Sequence, residues 1–208
     1  KGHVSLGSLR VRQDFLIAQG LSLDPFAQDQ IDPAMQELAL ARLRQLSAHE
    51  VGHTLGFAHN FAASAYGKVS VMDYPHPQLS LKDGTIDYSK AYEAGIGLWD
   101  KISVAYSYGD IPQGTEQTDY LSALLDKAFS QDLLFITDSD ARAASGSHAQ
   151  AHLWDNASNA AQGLEEIMSV RTVAINQFSL NQIPKGQPHS VLEDVFVPIY
   201  YLHRYQML

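Results

Sequence analysis

Between Asp32 and Gly56 apolar residues return at near-helical spacing, at Met35, Leu38, Leu40, Leu43, Leu46 and Val51. Asp32 is placed to cap this run, Pro33 suits a first helical position and Gly56 offers a stop, so the segment reads as one long helix. Before it, a short strand-like piece around Val4 to Leu9 turns helical near Asp14. From Ala58 to about Asp87 the composition changes to Gly, Pro, Ser and Asp, an ordered loop region in which Asp83 and Gly84 mark a tight turn. Helical periodicity resumes in "YSKAYEAGIGLWDKISVAYSYG", "TDYLSALLDKAFSQDLLFI", "GLEEIMSVRTVAINQF" and near "VLEDVFVPIYYLHRYQ". The polar, small-residue stretch "TDSDARAASGSHAQAHLWDNASN" between the second and third of these is expected to be a surface loop. The pattern predicts a loop-rich first part, 1–87, that carries the long helix, and a helical second part, 88–208, with little strand.

Composition narrows the class. With 208 residues, 45% hydrophobic and 18% charged, the chain can bury a sizeable core, and no apolar run approaches the roughly 18 residues of a membrane span. Fourteen Lys and Arg against 23 Asp and Glu give a net charge of −9, and the basic residues are scattered, which argues against a nucleic-acid partner. The absence of cysteine excludes disulfides, thiolate zinc sites and a cysteine nucleophile. Lacking an initiator Met and ending inside the apolar run "VFVPIYYLHRYQML", the sequence reads as part of a longer protein.

The chemistry concentrates in "SAHEVGHTLGFAHNF", residues 47–61. His49 and His53 are four apart, which on a helix puts both imidazoles on one face, where they can share a metal ion. Glu50 projects beside them and can reach a water without being a ligand. A left-handed Gly56 would end the helix and swing His59 onto the same ion. Three imidazoles leave zinc a fourth position for water, the open arrangement of a catalytic site, and zinc can lower that water's pKa from 15.7 to about 7, with Glu50 as general base. A lone HExxH arises by chance on polar helices. HExxHxxGxxH fixes five residues and should occur by accident at fewer than about one in ten million positions.

Thirteen residues after His59 comes Met72, in "SVMDYP". HExxHxxGxxH followed by a methionine-bearing turn resembles the signature of metzincin zinc endopeptidases. The resemblance implies an α+β zincin-like catalytic domain that binds Zn2+, with His49, His53 and His59 as ligands, Glu50 as general base and Met72 as a hydrophobic floor under the metal. Tyr74 matches a tyrosine that in astacin-like and serralysin-like metzincins ligates the metal or bonds the tetrahedral intermediate. A phenol there suits oxyanion stabilisation, and a tyrosine anchored by its hydroxyl in packing fits equally.

The wording is closer still to the large bacterial proteins called Met-zincins, zinc-dependent metalloproteases first catalogued as a domain of unknown function. "HEVGHTLGFAHNF", "SVMDYP", "LGSLRVRQDFLIAQG", "LWDN" and "PIYYLHRYQ" all look like that family. It implies a protein or peptide substrate and an extracytoplasmic location. Metzincins place a twisted sheet before the active-site helix, and just over thirty residues precede the helix here. The upstream part of the parent chain is therefore expected to complete the cleft, leaving this piece predominantly helical.

Other residues carry weaker signals. Asn60 and Phe61 are read as fixing the loop after the third ligand. Asp73 is read as orienting a neighbour or capping the turn. His76, between prolines, is expected to be an exposed loop residue or to face the cleft, and His148, His152, His189 and His203 are left as structural or surface residues. No EF-hand loop or glycine-rich nonapeptide repeat occurs, so no calcium is predicted. The sequence points to a zinc endopeptidase. A zinc-stabilised module that binds protein without cleaving it, disfavoured by an intact Glu50, and a zinc hydrolase of non-peptide substrates remain as other readings.

Overall fold

A computed structural model describes residues 9–141 and 148–207 of the chain. Helices dominate: α1 (Leu9–Leu21), α2 (Pro33–Thr54), α3 (Leu98–Tyr108), α4 (Gln117–Phe129), the single turn α5 (Asp138–Ala141), α6 (Ala160–Gln177) and α7 (Val191–Tyr200). The one sheet among the described residues is a hairpin of β1 (Ser80–Lys82) and β2 (Thr85–Asp87). No described helix is long and apolar enough to cross a membrane.

Local chemistry sets several of these boundaries. Asp32 accepts a hydrogen bond from the Ala34 amide at 2.8 Å and Pro33 opens α2, as the sequence predicts. Asp83 and Gly84 form the two-residue hairpin turn with φ of 51° and 77°, the left-handed pair that suits right-twisted strands. The predicted strand around Val4 to Leu9 lies outside the described residues except for Leu9, which starts α1.

Two expectations need correction. The periodic segment from Tyr88 becomes helical only at Leu98, because Gly95 takes φ 85° and the Asp100 carboxylate accepts from the Gly97 amide at 2.7 Å, fixing the helix start there. Ala91 and Tyr92, which supplied the early periodicity, pack instead as loop residues on Ala18, Met35 and Leu38. In the second segment the helix stops at Phe129, and 133–136 run on without regular secondary structure.

The core joins the first and second parts of the chain. Ile17 and Leu21 of α1, Leu79 and Ile86 of the hairpin, Ile167, Val170 and Ala174 of α6, and Ile199 of α7 form one apolar cluster. A β-carbon at Gly20 would collide with Ile199, so glycine lets α1 and α7 approach closely. A second cluster, Phe61 and Ala62 with Ile136 and Ala151, lies beside the histidine motif and ties it to the second half.

Candidate metal centre

The site begins with which face of α2 turns inward. The buried residues are Met35, Leu38, Arg42, Gln45, His49 and Gly52, spaced by threes and fours along one line. Leu40 and Val51, expected on the apolar face, are 46% and 56% exposed. The helix buries apolar residues in its first half and polar ones in its second, so a reading that follows leucines alone leaves the buried face by one turn.

Polar groups on that line are matched inside the protein, as burial requires. Arg42 pairs with Asp14 of α1 at 3.2 Å, both buried, and donates to Gln45. Gln45 donates to the Val71 carbonyl at 3.1 Å, and the same carbonyl accepts from His49 Nδ1 at 2.7 Å. Asp100 pins the other side of this turn, accepting from the Val71 amide at 2.8 Å and from Ser70 Oγ at 2.5 Å. The turn carrying Met72 is thereby held between α2 and α3.

Helix α2 ends in a Schellman motif. Gly56 has φ 91°, its amide donates to the His53 carbonyl at 3.0 Å, and the Phe57 amide reaches back to Gly52 at 3.1 Å. The reversal brings His59 over the helix end, so that ring nitrogens of His49, His53 and His59 all lie within 4.8 Å of one another. His53 Nε2 and His59 Nε2 are 3.2 Å apart.

Each ring is oriented through its other nitrogen. His49 Nδ1 donates to Val71, His53 Nδ1 to the Phe57 carbonyl at 2.9 Å, and His59 Nδ1 to Asp138 Oδ2 at 2.7 Å. Carbonyl and carboxylate oxygens only accept, so the protons sit on Nδ1 and the Nε2 atoms carry bare lone pairs. Two such lone pairs facing each other at 3.2 Å repel unless a cation lies between them. Nitrogens about 2.0–2.1 Å from a tetrahedral zinc would be about 3.3 Å apart, the spacing of the His53–His59 pair, and three imidazoles presenting bare nitrogens are the donor chemistry that zinc takes. Burial pushes His49 down to about 4, with the neighbouring His53, His59 and Arg42 adding to the effect and the Val71 bond opposing it. The imidazole is neutral at physiological pH, the form that ligates.

Around this triad the structure gathers the other predicted residues. Glu50 is half-buried beside His49, with no hydrogen bond or ion pair to a described residue. The Met72 side chain packs on Gly52, where a β-carbon would strike its sulfur. Tyr74 has its ring 5.6 Å from that of His49 and 4.6 Å from that of His59, and it stacks on Trp154 at 5.0 Å. Asn60 is fully buried and clamps the segment after α4, donating to Leu134 O at 3.0 Å and accepting from the Ile136 amide at 3.1 Å. Phe61 donates its amide to Ile136 O, so both residues fix the loop as expected.

Asp73 takes the turn-capping one of its two expected roles: it accepts from the Ser64 and Tyr74 amides, and burial pushes its carboxyl up to about 7. His76 is buried, not an exposed loop residue, and Asn156 donates to its carbonyl at 2.6 Å. His148 and His189 are outside the cluster, as are the partly buried His152 and His203.

Sequence reasoning missed Asp138, the partner of His59, and Trp154, whose φ of 60° is unusual for a non-glycine. Both lie in the stretch expected to be a surface loop, yet Ala151 and Asp155 within it are buried. Nothing local marks Asp138, which is 79 residues from His59. Arg42 and Gln45 were detectable, since they lie seven and four residues before His49.

Residues 31–208 match the family model described as Met-zincin. No curated protein and no solved structure gives a match.

Proposed function

The chain belongs to the Met-zincin family, and from that premise we propose that it is a zinc endopeptidase of zincin-like fold in which His49, His53 and His59 hold the metal through Nε2. The convergence of three imidazoles whose Nδ1 atoms are all committed to acceptors carries this reading. Zinc bound there supplies Lewis acidity, polarising a peptide carbonyl and acidifying water to a pKa of about 7.

The chain's own residues supply the rest. Glu50 takes the proton of the attacking water and returns it to the leaving amine, a role its unengaged carboxylate leaves open. Tyr74, packed on two of the histidine rings, offers its phenol to the developing oxyanion. Met72 forms an apolar floor that keeps the α2 face and the turn in register. Protein or peptide is the substrate class, and an extracytoplasmic location is inferred from the family resemblance alone.

Replacing Glu50 by Gln tests the mechanism. Zinc content should stay at the wild-type level while peptide hydrolysis falls by about 10²-fold or more. Unchanged turnover would remove Glu50 as the base. Hydrolysis of other ester or amide substrates with intact peptides would favour a non-peptide zinc hydrolase.

A further inference from the structure

Of the five non-glycine residues at positive φ among the described ones, three are aspartates and Trp154 alone is aromatic. Aspartate tolerates the left-handed region, whereas a bulky side chain there is strained and persists only where its surroundings hold it. Here they do. The Trp154 amide donates to the Tyr74 carbonyl at 2.8 Å, and the Trp154 carbonyl accepts from Gln206 Nε2 at 3.0 Å. Its neighbours are anchored as well: Leu153 packs on the cluster of Phe61 and Ile136, and the buried Asp155 accepts from the Asn156 and Ala157 amides. Glycine would adopt this backbone without strain, so what the site gains from tryptophan lies in the indole.

That indole lies flat on Tyr74, with 5.0 Å between ring centres and 12° between planes. The other rings around Tyr74 meet it at an angle, His49 at 31°, Phe61 at 61° and His59 at 62°. A parallel face covers one side of a ring and blocks its displacement that way, which an edge contact does not. Trp154 also holds the Tyr74 backbone through the amide bond, so one residue restrains both main chain and ring. Because Tyr74 packs on two of the three histidine rings, any shift of its ring is a shift of its phenol relative to the metal centre.

On the zinc-centre reading given above, we propose that Trp154 is a positioning residue: its indole sets where the Tyr74 phenol stands relative to a metal held by His49, His53 and His59. It acts through Tyr74 and not on the metal or the substrate. Donors to a developing oxyanion work because they are already in place, and a misplacement of about 1 Å can cost on the order of 10²-fold in rate. The strained backbone at Trp154 is what brings the indole onto the phenol ring, and the Gln206 and Tyr74 bonds are what hold it there.

Cobalt(II) in place of zinc makes the position of the phenol measurable without turnover, since the paramagnetic shift of a ring signal depends on its distance and direction from the ion. The isotope-labelled Tyr74 ring signals, identified by their absence in Tyr74→Phe, are compared in cobalt-loaded wild type, Trp154→Gly and Trp154→Phe. Glycine removes the indole yet suits φ 60°, so the loop keeps its path, and phenylalanine restores a face to stack on. Trp154→Gly should reduce the Tyr74 shifts several-fold and lower kcat for peptide hydrolysis about tenfold at nearly unchanged KM and cobalt affinity. Trp154→Phe should recover most of both. A lower Tm with unmoved Tyr74 shifts in Trp154→Gly would reduce Trp154 to packing and overturn the proposal alone. If that variant fails to fold, Trp154→Asn, which also tolerates the left-handed region, takes its place. Should the loaded chain cleave no peptide, the Tyr74 shifts decide. A wild-type chain that takes up no cobalt would defeat the metal-centre reading and this proposal with it.

Discussion

At the scale of single residues, the site depends on what holds the far nitrogen of each imidazole. His49 and His53 lean on backbone carbonyls, whereas His59 leans on a carboxylate, Asp138, which fixes the orientation and tautomer of the ring. Asp138→Asn should therefore weaken zinc binding by about 10–100-fold with little change in folding, read by competition with a chromophoric chelator. An unchanged zinc Kd would mean that the Asp138 contact does not act on the metal. The clustering of the three histidines was legible because their spacing is a local property of one helix and its reversal. Asp138 was not, because a partner 79 residues away leaves no trace in spacing.

Among the elements, α2 and its terminal turn carry most of the geometry. Gly56 at φ 91° is the residue on which the reversal turns. An alanine there would be strained by roughly 1–2 kcal/mol, so Gly56→Ala should lower the urea midpoint and also loosen zinc by displacing both His59 and the Phe57 carbonyl that orients His53. Loss of neither would show that the turn tolerates another path. Cap, stop and hairpin turn could be read in advance because each rests on the backbone preferences of one or two residues, Asp32 with Pro33, Gly56, and Asp83 with Gly84. The inward face of α2 was misjudged because Arg42, Gln45 and His49 are buried through partners on other elements, which hydrophobic periodicity does not register. The late start of α3 was hidden for a related reason: Ala91 and Tyr92 satisfy the helical period yet are used by the α1–α2 packing.

For the molecule as a whole, stability couples to pH through two buried groups of opposite sign. His49 has a folded pKa near 4 against 6.5 unfolded, so the unfolded chain takes a proton that the folded one refuses, and its contribution to stability is lost as pH falls from 6.5 toward 4. Asp73 is held near 7 against 3.8, so the folded chain keeps a proton that the unfolded one releases, and its contribution is lost as pH rises through that window. In the metal-free chain Asp73→Asn removes the second slope. Its stability should rise from pH 4 to 6.5 more steeply than that of wild type, and parallel curves would contradict the assignment. The central claim concerns the three imidazoles together, and metal analysis of the dialysed chain beside its His59→Ala variant tests it most directly. The account predicts close to one zinc per wild-type chain and loss of most of it in the variant; a wild-type chain without zinc, or a variant that keeps it all, would contradict the three-histidine site.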